Sequence, residues 1–377
     1  MTVKRKNKRV LVLLSDVNFS PQLISILHEL HNRKSDFQVI LIGESVAKIA
    51  VQIGAHKWKL RVIRKTGKLG SILHLFMICY WILRIRPEVV FTSGQFATVI
   101  GMISARIFRV PQRIYIRHHS NFHHKYNMKF GVFLDHVTNS LSTDIVAVSG
   151  VVRSILISKE AVDSKKIKLI YNGINLDRFQ QIDGVKSVTH WKSLEQDKPF
   201  TIGVISRLTD VKGVEYTATA FAKLQGEFPN TRLHIVGAFA DSYNDVIGIL
   251  NPLDPNVYLI ESENPDIPSF YRSIDVFVHV PTGSDDEAFG IVYIEALASR
   301  VPCIFTKSGI LNELENLEEY VAIVPYRSSN EIYYKLKELI QGSTSAKIEV
   351  PIQWIDQFSE LTVAQQYSKL ILDKVQV

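Results

Sequence analysis

Short apolar, β-branched runs alternate with amphipathic helical stretches along nearly the whole chain, and this alternation leaves few folds open. In the first half the strand-like runs are RVLVLL (9–14), FQVILIG (37–43), EVVFTSG (88–94), RIYIRHH (113–119), DIVAVSG (144–150) and IKLIYNG (167–173). In the second half they are FTIGVIS (200–206), RLHIVGA (232–238), NVYLIES (256–262), DVFVHVP (275–281) and PCIFTKS (302–308). Helical periodicity fills the intervals, as in PQLISILHELHNR (21–33) and FATVIGMISARIF (96–108). A strand buried on both faces shows no polar alternation, and reaching a parallel neighbour takes a crossover, usually a helix. The pattern predicts an α/β chain with one helix-wrapped parallel sheet per half.

The polar stretch FQQIDGVKSVTHWKSLEQDKP separates the two blocks and is read as a linker over 179–199. A first Rossmann-like domain then occupies 1–178 and a second 200–352. Residues 353–377 form a C-terminal helix expected to pack back toward the first domain. The two domains are expected to face each other across a central cleft, with ligands beyond the carboxyl ends of the strands. No G-x-G-x-x-G or Walker A sequence is present, so the usual dinucleotide and ATP signatures are missing.

Charge is divided unevenly between the halves. Residues 1–180 carry 28 Lys+Arg against 10 Asp+Glu, whereas residues 181–377 carry 16 against 27, for a formal net charge of +7. The basic half should meet something anionic: phosphates, a membrane surface or nucleic acid. No nucleic-acid-binding motif accompanies the charge, which argues against the last of these. Cys79 and Cys303 lie far apart in apolar runs and fit neither a disulfide framework nor a zinc site, as expected in a reducing, cytoplasmic compartment. The run VLVLL is five residues long before Ser15 and Asp16, so it reads as a first strand rather than a signal peptide. The most apolar window, 69–83, contains His74 and is shorter than the ~20 residues that span a bilayer.

The stretch DDEAFGIVYIEALA sets Glu287 and Glu295 eight residues apart, with Gly290 between them. On one helix the two carboxylates would point about 80° apart. The preceding strand should end near Pro281, so the helix begins near Gly290. Glu287 then lies in the loop and Glu295 in the second helical turn. Two arrangements fit. The acids could flank a site in which helix N-terminal amides hold a phosphate and the carboxylates accept from hydroxyl groups. Alternatively, Glu287 could pair with the helix dipole while Glu295 is a solvated surface residue.

EAFGIVYIEALASRVPCI resembles the E-x7-E segment of family 4 glycosyltransferases, and VISRLTDVKG (204–213) resembles the same family's G-R-L…K-G segment. STDIVAVSGVVRSIL, KIKLIYNGINLDRF and DIPSFYRSIDVFVHVP resemble further passages of that family, in the same order. The resemblance implies a GT-B fold and a retaining, metal-independent sugar transfer from a nucleotide-diphosphate donor, UDP-sugar being favoured over GDP-sugar. The nucleotide sugar would be a co-substrate; no cofactor is implied. Arg207 and Lys212 match the basic pair that grips the donor diphosphate, chemistry that suits a forked guanidinium and a compact ammonium. Glu287 matches the residue at the donor sugar's hydroxyls and Glu295 the one that holds the ribose. Phe289, Gly290 and Ile291 match the turn whose amides approach sugar and diphosphate. The family also places a histidine at the end of the strand RIYIR. Register leaves His118 and His119 open, with His119 preferred; His123 and His124 line the acceptor side or are solvated loop residues. No cysteine or acid accompanies these histidines in sequence, so no metal is expected. The loop SDVNFSPQ lacks the glycine common after the family's first strand.

The family's acceptors are glycans or lipid-linked molecules of cell-surface polysaccharide and glycolipid synthesis. HKWKLRVIRKTGKLG (56–70), just before the apolar helix, mixes cations with Trp58 and suits the inner face of an anionic membrane. The other reading is a core helix preceded by a solvated basic loop. A non-catalytic sugar-nucleotide-binding or partner subunit of the same fold is the alternative function.

Overall fold

The computed structural model describes residues 8–18, 20–43, 48–64, 70–180, 198–237, 240–342 and 350–373. They form two compact units: residues 1–174 with 358–377, and residues 175–357. The expected linker falls largely outside the described residues. Asn175–Gln180 go with the second unit, where Phe179 packs on Tyr271 at 6.0 Å between ring centroids. Residues 353–377 divide between the units, and only the helix Glu360–Leu372 joins the first, against the helix Pro21–Asn32.

Seven parallel strands make the first sheet: β1 (Arg9–Ser15), β2 (Asp36–Gly43), β3 (Leu60–Arg64), β4 (Val89–Ser93), β5 (Gln112–Arg117), β6 (Asp144–Ala147) and β7 (Ile167–Leu169). Their order is β3-β2-β1-β4-β5-β6-β7. The second sheet holds β8 (Phe200–Ile205), β9 (Thr231–Val236), β10 (Tyr258–Glu261), β11 (Val276–His279), β12 (Cys303–Phe305) and β13 (Ala322–Ile323), in the order β10-β9-β8-β11-β12-β13. Both are doubly wound sheets in which the strand order reverses beside the first strand of the unit. Central strands are apolar because helices cover both faces: β4, β6 and β11 are buried at every position.

β3 was not expected. It runs through the basic stretch read as a loop, as an edge strand in which only Ile63 is buried. Arg61 and Arg64 are exposed there, and such charges keep a sheet edge from pairing with another chain. Trp58 is packed against His28, His56 and Phe37, with centroids 4.8, 4.5 and 5.6 Å away, so it is not an isolated interfacial ring.

Two junctions put chemistry at the strand ends. In the first unit, Gly94 opens the helix Gln95–Ile107 with φ of 92°, and a Cβ there would stand 2.1 Å from the Ser15 carbonyl oxygen. Glycine therefore lets the ends of β1 and β4 meet, and Ser15 Oγ accepts from the Ala97 amide at 2.9 Å. In the second unit, Gly290 precedes the helix Ile291–Ala298 with φ of 81°, where a Cβ would lie 2.4 Å from the Tyr293 ring.

Candidate active site

In the second unit, Lys212 follows β8 and Glu287 follows β11, so the two residues come from strands on either side of the point where the order reverses. Lys212 Nζ lies 2.5 Å from Glu287 Oε1, and Nε2 of His279, the last residue of β11, lies 2.7 Å from the same oxygen. The Glu287 amide donates to Ser308 Oγ at 3.0 Å, and that hydroxyl donates to the Gly283 carbonyl at 2.8 Å. Burial alone would raise the Glu287 carboxyl. The His279 hydrogen bond and the Lys212 charge outweigh it and hold the pKa at about 2.

An ionised carboxylate only accepts, so His279 Nε2 carries a proton. Burial lowers the imidazole below its usual range despite Glu287, leaving a neutral ring at pH 7. Its Nδ1 is then a bare acceptor, buried and without a partner among the described residues. Phe277 stacks on this ring and Tyr293 meets it edge-on, at centroid distances of 6.3 and 4.9 Å. Sequence reading missed His279 because it sits inside an apolar strand run. The available signal was a polar residue at the carboxyl end of a strand at the reversal point.

Phe289 is buried, and its carbonyl accepts from the Ile310 amide at 2.9 Å, fixing the turn that delivers Gly290. No side chain caps the helix Ile291–Ala298, and its first two amides have no carbonyl to bond within the helix. Glu295 is one turn further on and partly buried, with Oε2 3.3 Å from the Tyr271 hydroxyl. Desolvation outweighs that hydrogen bond and the Arg178 charge, and the pKa rises to about 7. The structure thus brings Lys212 and Glu287 into contact and sets Phe289, Gly290, Ile291 and Glu295 on the same loop and helix. Arg207 follows β8 and is exposed, and its guanidinium has no ion-pair partner among the described residues.

In the first unit β5 ends at Arg117, so His118 and His119 open the following loop. His118 lines a pocket of about 470 Å³ with Ser15, Asp16, Asn18, Ser93 and Gly94, at the carboxyl ends of β1, β4 and β5. Its Nε2 lies 3.1 Å from Ser93 Oγ, and desolvation together with His119 lowers its pKa, so the ring is neutral at pH 7. His119 lines a smaller cavity of about 230 Å³ with Gln95, Thr98, Tyr115, Arg117 and Asp135. Its Nε2 lies 3.4 Å from Asp135 Oδ1, while His123 Nδ1 lies 2.6 Å from Asp135 Oδ2.

The fold therefore gives the histidine cluster an acid that the local sequence lacks. Three possible metal-ligand atoms, from His119, His123 and Asp135, lie within 4.8 Å of one another. The Asp135 oxygens are already engaged, however, by His123 and by the Arg117 guanidinium at 3.1 Å. Arg117 also pairs with Glu160 at 2.5 Å, and Glu160 accepts from Asn139 at 2.6 Å. This is a buried ion-pair network that holds His119 and His123 in place, and Asp135 positions both rings. Asp135→Ala should cost about 3–5 kcal/mol, the usual result of removing one partner from a buried pair. A urea midpoint equal to that of the unaltered protein would contradict this.

The profile of glycosyl transferases group 1 matches residues 185–349, and that of glycosyltransferase family 4 matches residues 23–178. An uncharacterized glycosyltransferase of Methanocaldococcus jannaschii is 30% identical over 185 residues, 48% of this chain and 46% of its own. The GDP-mannose-dependent alpha-(1-6)-phosphatidylinositol monomannoside mannosyltransferase of Mycolicibacterium smegmatis is 28% identical over 144 residues, 36% of this chain and 37% of its own. The chain spans less than half the length of these curated relatives. Among solved structures, Anabaena HepE in complex with UDP-glucose aligns with a TM-score of 0.76 at 20% identity, covering 97% of this chain and 99% of that one. WaaG, a glycosyltransferase involved in lipopolysaccharide biosynthesis, aligns with a TM-score of 0.67 at 13% identity, covering 97% and 100%. Two parallel doubly wound sheets, these structural likenesses and profile matches across both halves lead to one assignment: the chain belongs to the group 1 glycosyltransferases and has the GT-B fold.

Proposed function

We propose that the protein is a retaining glycosyltransferase. It moves a sugar from a nucleotide-diphosphate donor, UDP-sugar in preference to GDP-sugar, to a glycan or lipid-linked acceptor in cell-surface polysaccharide or glycolipid synthesis. The observation that carries this reading is the Lys212–Glu287–His279 assembly, set at the strand reversal beside the uncapped start of the helix Ile291–Ala298.

Each group has a task its chemistry fits. Arg207, exposed and without an ion-pair partner among the described residues, binds diphosphate oxygens, and Lys212 shares its charge with them as the bond to phosphate breaks. The unused amides after Gly290 add fixed dipoles of the same sign. Glu287, kept ionised, accepts from the hydroxyls of the transferred sugar, and Glu295 accepts from the ribose. Glu287 is held by Lys212 and His279 rather than free to attack, which supports departure and attack on one face, with a leaving diphosphate oxygen taking the acceptor's proton. Fixed cations do the work a metal would do. The solved complex of Anabaena HepE holds UDP-glucose, which supports the UDP preference. A lipid-linked acceptor goes with peripheral contact at the cytoplasmic face of a membrane.

Thermal unfolding with UDP, UDP-glucose, GDP and GDP-mannose tests the donor assignment. A rise in midpoint with the uridine compounds alone is expected, and it should vanish in Arg207→Ala. No response to either class would remove the donor site from this chain.

A further inference from the structure

We infer that the outer face of the helices Gly70–Ile85 and Lys129–Leu141 in the first unit is a docking surface for an anionic lipid bilayer. The inference rests on the membrane contact of the proposed function and assigns it to particular side chains.

The helix Gly70–Ile85 has apolar residues on nearly every side but is covered on only one. His74, Ile78 and Ile82 are buried. Ile72, Leu73, Phe76, Tyr80 and Leu83 are 54–66% exposed. At about 100° per residue these five fall within one arc roughly 100° wide, opposite the buried three. Single exposed apolar residues are ordinary, but five on one face of one helix are not. The neighbouring helix Gln95–Ile107 packs between this helix and Lys129–Leu141. On the latter, Phe130 and Phe133 are 72% and 59% exposed, while Gly131, Asp135 and Thr138 face inward. Aromatic and aliphatic groups thus point outward from both flanks of one helix layer.

Charge selects the occupant. Residues 56–86 contain eight Lys+Arg and no Asp or Glu. Arg61 stacks over the Trp81 ring at 3.7 Å, which ties a cation of the edge strand β3 to the helix, and Arg64, Arg84 and Arg86 are exposed. An apolar stripe rimmed by cations matches acyl chains beneath anionic headgroups. A second copy docked through the same face would oppose these cations to themselves, which disfavours a symmetric dimer. The helix lies on the bilayer rather than across it. Its 16 residues reach about 24 Å against a hydrocarbon thickness of about 30 Å, and no described helix is long and apolar enough to cross a membrane.

The test is flotation of the full chain, without nucleotide or acceptor, on vesicles of phosphatidylcholine alone or mixed equally with phosphatidylglycerol. Binding is expected only with the anionic lipid, and it should weaken as salt rises. Phe76→Glu combined with Leu83→Glu should lower it by about tenfold or more. Both positions are exposed, so an unchanged unfolding midpoint and an unchanged UDP response will show that the variant is folded. No flotation of the unaltered chain would overturn the inference, as would flotation unaffected by the two substitutions. So would a dimer that the substitutions dissociate in the absence of lipid binding. None of these readouts involves sugar transfer, so each can fail while the donor chemistry stands.

Discussion

Lys212→Ala should lower turnover by about 10²–10³-fold, the usual loss when one preorganised charge at a developing anion is removed. A stability defect should come with it. Lys212 and Glu287 keep only 13% and 11% of their side-chain surface, so deleting the ammonium leaves a nearly dry carboxylate with His279 as its remaining side-chain partner. A cost of about 3 kcal/mol follows, at the low end for a stripped buried pair, because the imidazole N–H still donates. Glu287→Gln keeps the shape and an acceptor for His279 but removes the anion that pairs with Lys212. It too should lose stability, to about the extent that protonating Glu287 does, along with turnover. The pH dependence has a fixed sign. The Glu287 pKa falls from 4.5 to about 2 on folding, so its stabilisation is complete above the ordinary carboxylate range and is lost as pH drops from there toward 2. Initial rates and urea midpoints for both variants decide the matter; full turnover in Lys212→Ala would end the proposed role.

Donor binding should weaken by up to about tenfold for each pH unit below 7, because Glu295 must ionise to accept from ribose hydroxyls. Desolvation places its carboxyl at about 7, so much of it is protonated at neutral pH. A ligand that prefers the anion pulls the pKa down and releases a proton. Affinity therefore rises with pH through 7 and levels off above it. Calorimetry of UDP binding in two buffers of different ionisation enthalpy would detect the released proton. Glu295→Gln should bind more weakly at pH 8 and show a flat profile. A flat profile in the unaltered protein would remove Glu295 from the ribose position.

Eleven of the strands could be read from apolar runs, most of them because helices cover both faces of the sheet, although β7 buries one residue and β10 none. The two that could not were β3 and β13. β3 buries only Ile63, and β13 is two residues long, too short for any periodicity. The loop position of Glu287 followed from strand–helix alternation alone, and the helix begins one residue after Gly290, where the sequence suggested. Its partnership with Lys212, 75 residues away, did not follow, since only strand order brings the two together. The same limit hid Asp135 and Glu160. They lie 18 and 43 residues from Arg117, on different elements, and no local pattern marks them as its partners. His118 and His119 could not be told apart because the strand stops at Arg117, and past that point the period of two no longer applies.

The second unit is an insertion within the first, and its two ends are stitched side by side. The Ile174 amide donates to the Phe358 carbonyl at 2.8 Å, and the Glu360 amide donates to the Ile174 carbonyl at 2.9 Å. A ribosome consequently delivers the inserted lobe whole while the earlier lobe still lacks its closing helix, Glu360–Leu372, and the side chains Val363, Tyr367 and Ile371 that helix buries. Every residue of the later-made unit is thus synthesised before the first unit is complete, so the first unit cannot close in the customary order in which lobes fold as they emerge. A chain ending just short of Phe358 would carry every residue of the inserted unit, with the first unit left open along the helix Pro21–Asn32.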